Sequence, residues 1–292
     1  MAQKVMASES RRSCATMNAK VGSTHGERAL SFFRENGVMD LNHGPIQVKA
    51  ARHISGVVSG EDTSTKIVHF QRHGQGYHNL IYSILSDANA PLPDVYLNDV
   101  KSNPFLRSEI VDSPLTELGR EQCRSQKDLA SRLSPEVIIV SPLCRAINTA
   151  LITFGTFRGR VPFIAHDGCR EELGLLKCNK RKCLSETILD YPDVDFSLVA
   201  ASGQDEDNLW IPEHRECPRE QSRRIYSFLV EFIRNRPERE MAVVGHSAWL
   251  FSMCHTVLDF NEDDDETRDW FKTGEIRSLR LEFSGEGLYP CQ

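Results

Sequence analysis

The sequence predicts an α/β protein, a three-layer α/β/α sandwich around a mostly parallel sheet. Three observations predict it. Short apolar runs of strand character alternate with helix-period segments from residue 66 onward. One of these runs, residues 136–140 (EVIIV), is almost continuously apolar, as a strand buried on both faces should be. Three of the runs lead directly into Arg, His and Gly, and in such sheets the carboxyl ends of the strands carry the ligands.

The elements follow in order. Residues 66–70 (KIVHF) read as a strand, and Gly74 and Gly76 break it into a turn. Residues 116–133 have helical periodicity, with Pro135 marking the end. Residues 136–140 are the buried strand, 145–154 the helix after it, and 161–165 (VPFIA) a further strand. Residues 219–234 predict a long amphipathic helix with Ile225, Phe228, Leu229 and Phe232 as its apolar stripe. Residues 241–244 predict a buried strand, 248–258 a helix, and 278–283 (SLRLEF) a strand of clean alternation. There is no internal repeat.

Residues 1–65 differ in composition, being rich in Ser, Met, Ala and Gly, and are expected to form a largely disordered extension before a domain at 66–292. Within it, residues 27–38 suit a short amphipathic helix laid on the domain. Residues 1–26 carry Glu9 as their only acid against Lys4, Arg11, Arg12 and Lys20, a pattern shared with organelle transit segments. The expected location is the cytoplasm, with a mitochondrion or plastid as the alternative if that segment directs import.

The chain has 292 residues, 40% hydrophobic and 26% charged, values ordinary for a soluble globular protein. Its formal net charge of −6 gives no reason to expect nucleic acid or an anionic membrane as partner. No apolar run approaches the roughly 18 residues needed to span a bilayer. The nine cysteines are unevenly spaced and read as free thiols in a reducing compartment. His166, Cys169, Cys178 and Cys183 match no zinc-ligand spacing well, so no metal is expected.

Chemistry concentrates at the strand ends. The first strand leads to Gln71-Arg72-His73-Gly74, the second to SPLCR ending at Arg145, and the strand at 241–244 to Gly245-His246-Ser247. A parallel sheet brings these ends to one edge, so two arginines and two histidines converge there. Arginine pairs bidentately with phosphate oxygens and keeps its charge. Helices starting beside the strand ends offer free N–H groups to an anion. A neutral imidazole can take a phosphoryl group covalently, while the second histidine and the arginines stabilise charge during transfer.

The segments RHGQGYHN, DSPLTELGREQ, SPLCRAINTA and VVGHSAWL, running in that order from Arg72 to Leu250, resemble the successive signatures of the histidine phosphatase superfamily, the phosphoglycerate-mutase-like fold. CREELG, CNKR, DFSL, DNLWIPEHRE, RPEREMAVV and EIRS resemble its plant and fungal phosphoglycerate mutase-like branch. The resemblance implies that His73 is the histidine that becomes phosphorylated. It implies that Arg72, Arg145 and His246 complete the phosphate pocket and that Asn79 closes it from the first loop. Glu171 matches the acid. Because REELG places that acid only three residues before Gly174, where the family usually has four, Glu172 stands as the other candidate. Asn148 occupies a position where the family often carries glutamine. The loops 80–111 and 173–216 are expected to cap the carboxyl edge of the sheet. The implied activity is cofactor-free hydrolysis of a small phosphorylated metabolite.

Rival readings are a mutase, whose Glu-Arg-His-Tyr-Gly loop is absent here, and a non-catalytic binder of phosphorylated ligands, against which the intact histidines and arginines argue. GHSAW resembles a serine nucleophile elbow, but Trp249 stands where that turn needs glycine. Gly74 and Gly76 lack the third glycine of a dinucleotide loop. The acidic run 262–266 reads as a solvated loop. Lys177, Lys180, Arg181 and Lys182 are expected at the pocket mouth, attracting anionic groups of the substrate beyond the transferred phosphate.

Overall fold

The computed structural model describes residues 25–53, 65–260 and 265–285. Residues 1–24 of the candidate leader at 1–26, and most of the acidic run before Asp265, lie outside these residues.

Along the chain, α1 (His25–Glu35) precedes β1 (Gln47–Arg52), β2 (Thr65–Arg72) and α2 (Tyr77–Asp87). Then come α3 (Glu117–Ser125), α4 (Lys127–Ala130), β3 (Val137–Val140) and α5 (Cys144–Thr153). β4 (Phe163–Ala165), α6 (Leu184–Asp190), β5 (Val194–Asp195) and α7 (Ser197–Ala200) follow. The chain continues through α8 (Pro218–Ser227), β6 (Glu240–Gly245), α9 (Ser247–Thr256), β7 (Leu258–Phe260), α10 (Asp265–Arg268) and β8 (Ile276–Ser284). The eight strands form one sheet in the order β5-β4-β3-β6-β2-β8-β1-β7. Only β8 runs against its neighbours β1 and β2; every other pairing is parallel. The fold is the three-layer α/β/α arrangement, with a mixed, mostly parallel sheet.

Period-two alternation explains the layers. Val137, Ile139, Met241, Val243, Val68 and Phe70 point to one face, where they pack with Ile225, Leu229, Trp249 and Met253 of α8, its continuation and α9. Ile138, Val140, Ala242 and Val244 point to the other face, against Ala146, Ile147 and Ala150 of α5. Each large side chain buried this way stabilises the fold by about 1.5–3 kcal/mol.

Several expectations shift. β1 lies before the boundary at residue 66 yet is hydrogen-bonded into the sheet between β8 and β7. The helix expected at 27–38 is α1; its Phe33 packs with Val38 and Phe251 of α9. The folded unit therefore takes in residues that the change in composition assigns to the extension. The helix expected at 219–234 starts with Pro218 in its first turn but widens into a π-helical stretch at Phe228–Ile233. The helix expected at 116–133 is capped by Thr116, whose hydroxyl accepts from Gly119 N at 3.0 Å, and it breaks at Gln126.

The two segments expected to cap the site do meet. Phe105, Leu106 and Ile110 form a separate apolar cluster with Leu175, Leu176 and Cys178, with Ile81 packed against it. Gly174 is needed where the second segment turns: its φ is +77°, and a Cβ there would lie 1.8 Å from the His214 carbonyl oxygen.

Candidate active site

Strand order places the site. β6 lies between β3 and β2, so the turn after β6 is flanked by the turns that carry Arg145 and His73. His73 N donates to Gly245 O at 3.0 Å, and Ser141 N donates to Val244 O at 3.1 Å, tying the three strand ends together. The turn after β2 is locked from outside by a backbone-to-backbone contact. A Cβ on Gly74 would lie 2.3 Å from Gly119 O, and one on Gly119 would lie 2.2 Å from Gln75 O. The RHG and LTELG segments thus share a single interlock that only glycines permit.

His73 is buried, and its Nδ1 lies 2.6 Å from Gly74 O. A carbonyl only accepts, so Nδ1 carries the proton and Nε2 keeps its lone pair. Arg145 Nε donates to that Nε2 at 3.3 Å. Burial, and then the Arg145 and Arg72 charges, hold His73 well below the ordinary imidazole range, so it is neutral at pH 7. The His246 ring lies 5.0 Å from that of His73, edge-on, with its Nε2 2.8 Å from Ser141 Oγ. Burial and the neighbouring Arg145 depress His246 strongly as well. Its Nδ1 is buried with no protein partner.

Arg145 is fully buried and oriented by three acceptors: His73 Nε2, Cys178 O at 2.6 Å and Asn179 Oδ1 at 2.9 Å. Arg72 donates from Nη1 to Phe271 O at 2.7 Å, while its Nε is buried without a protein acceptor. Burial lowers the pKa of the Arg72 guanidinium, and the Glu171 and Glu275 carboxylates oppose that shift.

Glu171 comes to the same place from the loop after β4. Its carboxylate accepts from Trp249 N at 3.1 Å and Ala248 N at 3.3 Å, in the first turn of α9 beside His246. Arg224 of α8 holds this loop by donating to Gly168 O, Arg170 O and Glu171 O at 3.0–3.2 Å, and it is itself paired with Glu216. Glu172, the other candidate acid, pairs with Arg215; burial raises it to about 7, with Arg215 acting against. Arg215 in turn lies over the Tyr96 ring, 5.3 Å from its centre, which ties Glu172 to the cap.

Asn79 does not simply face an anion. Its Oδ1 accepts from Gly76 N at 3.0 Å and caps α2, which leaves the amide nitrogen for other use. Asn148 gives its amide hydrogens to Cys144 O and Tyr191 Oη, so its partners lie within the protein. The basic cluster divides. Arg181 is buried and donates to the carbonyls of Lys182 and Asp205, a structural role rather than the expected one at a pocket mouth. Lys177 and Lys180 sit over the Trp210 ring, and Lys180 also pairs with Glu206. Among the described residues no three His, Cys, Asp or Glu side chains are grouped to hold a metal ion. His166 Nδ1 accepts from Gly168 N instead.

Sequence reasoning missed the residues that hold the site in shape. Asn179 bridges Arg145 and the Glu172 carbonyl, Arg170 donates to Asn179 O, and the fully buried Arg170 is gripped by Asp207 at 2.6 and 2.9 Å. The CNKR and DNLW segments that carry Asn179 and Asp207 stand out in the sequence, but without a pairing that assigns them these contacts.

Two arginines, two histidines and a helix-held carboxylate thus meet at the carboxyl edge of the mostly parallel sheet. The family model of the histidine phosphatase superfamily (branch 1) matches residues 106–288, which include Arg145, Glu171 and His246. The chain belongs to that superfamily and is an enzyme with its phosphatase-type chemistry. The match begins after the His73 turn, which the fold brings to the same edge. Among similar proteins, phosphoglycerate mutase-like protein 1 of Arabidopsis thaliana is 28% identical over 248 residues, covering 73% of this chain and 80% of its own. A probable phosphoglycerate mutase of Saccharomyces cerevisiae is 27% identical over 218 residues, covering 66% and 72%. A solved structure of phosphoglycerate mutase from Bacillus anthracis is 15% identical, with a TM-score of 0.46, covering 77% of this chain and 92% of that one.

Proposed function

We propose that the protein hydrolyses phosphomonoesters of a small metabolite through a phosphohistidine at His73. The reading rests on one observation: the buried His73 commits Nδ1 to Gly74 O at 2.6 Å and turns its Nε2 lone pair to Arg145 Nε at 3.3 Å. Nε2 attacks phosphorus as the ester P–O bond breaks, and Glu171, entering this step as the carboxylic acid, gives its proton to the departing alkoxide. Arg72, Arg145 and His246 bear on the phosphoryl oxygens, with the Asn79 amide nitrogen closing the pocket. Water then attacks the phosphohistidine, Glu171 takes its proton, and the P–N bond breaks to release inorganic phosphate and neutral His73. The Gly74 carbonyl stabilises the positive ring that exists while the phosphoryl group is attached.

The test is a chelator-treated screen of phosphorylated metabolites with His73→Ala beside the wild type. Hydrolysis that survives chelator and is lost in the variant supports the reading. Hydrolysis retained by His73→Ala refutes the nucleophile. Transfer of phosphate between substrates without release of inorganic phosphate would make the protein a mutase.

A further inference from the structure

We propose that His78 is a further phosphoryl-binding residue of this pocket, donating an imidazole N–H to a phosphoryl oxygen; this rests on the pocket reading above. His78 lies in the first turn of α2, five residues after the nucleophile. Its ring centre is 5.5 Å from that of His73, tilted by 55° and so not stacked on it. With His73 and His246 it makes three neighbouring imidazoles.

Three features hold it there. His78 N donates to Ser113 Oγ at 3.0 Å, and Tyr77 N donates to Pro114 O at 3.0 Å, which pins the start of α2 to the 113–115 segment. Gly76 leaves the space into which the ring folds, since a Cβ there would lie 2.7 Å from both Nδ1 and Cε1 of His78. The ring Nδ1 is out of contact with solvent and has no hydrogen-bond partner in the protein. A buried polar atom without a partner is costly, and such groups persist where they serve a ligand or a reaction.

The charge environment fits a neutral donor. Burial, then Arg145, His73 and Arg72, keep His78 well below the ordinary imidazole range. Two guanidinium groups already meet the phosphate charge, so a third cation would add repulsion among the protein groups. A neutral N–H adds direction without charge. Packing alone would be served by any ring of similar size, which separates this role from a structural one.

The probe is orthovanadate, or inorganic phosphate, binding to the full-length protein by calorimetry, which needs no knowledge of the substrate. His78→Phe should keep the packing and weaken anion binding about 10- to 100-fold, as expected for one hydrogen bond to a charged group. His78→Gln, which retains an N–H donor, should recover most of that loss. Binding by His78→Phe equal to wild type overturns the proposal while leaving the pocket reading intact. Failure of the wild-type protein to bind either anion overturns both. Should His78→Phe not fold, 15N-histidine NMR of the wild-type protein decides, with the His78 signal assigned by its loss in His78→Gln. A phosphate-dependent shift of that signal supports the proposal, and a stationary signal while those of His73 and His246 move overturns it.

Discussion

Replacing Glu171 by Gln tests the assignment of the acid most sharply, because the two candidates are adjacent and differently held. The Glu171 carboxylate accepts from Trp249 N and Ala248 N, whereas Glu172 is paired with Arg215. Gln keeps the shape and one acceptor oxygen, so Glu171→Gln forfeits one backbone contact and about 0.5–1.5 kcal/mol of stability. Its chemical effect is larger. A positioned general acid contributes roughly 10²–10⁴ in rate, which is about 2.7–5.4 kcal/mol of transition-state stabilisation. That loss falls only where the leaving group needs a proton. We expect kcat/KM for an alkyl phosphate to fall by about 10²–10⁴ and that for a nitrophenyl phosphate by less than about tenfold. kcat/KM is the quantity to compare, since it reports formation of the phosphoenzyme from free enzyme and substrate. Glu172→Gln leaves the buried Arg215 short of its partner and should depress both substrates by a similar factor. Equal losses for both esters in Glu171→Gln, or leaving-group dependence in Glu172→Gln, would refute the assignment.

Three other perturbations have definite outcomes. Asp207→Ala strips from Arg170 its closer acidic partner, both side chains being only 1% exposed, and leaves it Asp167 at 3.2 Å; it should cost about 2–4 kcal/mol in urea unfolding, and a loss under about 1 kcal/mol would mean that the pair does not organise the Asn179 loop. Gly74→Ala forces a methyl to within 2.3 Å of Gly119 O; it should cost about 1–3 kcal/mol or more and lower kcat by displacing His73, and wild-type stability would contradict the interlock. Burial holds His166 and His255 at about 4, so the unfolded chain binds their protons first as the pH falls. Each then contributes stability that is full above pH ~6.5 and lost as the pH falls through about 4, at about 1.4 kcal/mol per pH unit. Unfolding midpoints between pH 4.5 and 6 should therefore vary less steeply in His255→Gln, and an unchanged slope would contradict the burial argument.

Much of this was legible in the sequence where local chemistry decides the outcome. β2, β3 and β6 were legible because a central strand is apolar on both faces, and Ile138, Ile139, Val243 and Val244 are all fully buried. β1 was not, since QVKAAR turns only Val48 and Ala50 inward and its pairing comes from β8 and β7, more than 200 residues away. β5 has two residues, too few for a pattern. His73 and His246 were legible because each follows a strand directly, and Arg145 because it stands in the first turn of the helix after one. The supports were not. Ser141 meets His246 across 105 residues, and Asn179 meets Arg145 across 34; nothing local marks such side chains. Arg181 misled for a related reason, as charge in a sequence does not distinguish a guanidinium facing solvent from one saturated by backbone carbonyls.

The central claim is a covalent phosphohistidine at His73. Rapid acid-free quenching during turnover of a 32P-labelled phosphomonoester, followed by peptide mapping, tests it most directly. The account predicts an acid-labile, base-stable label on the peptide bearing His73, absent from His73→Ala. A label on another residue, or continued hydrolysis by the unlabelled variant, would contradict it.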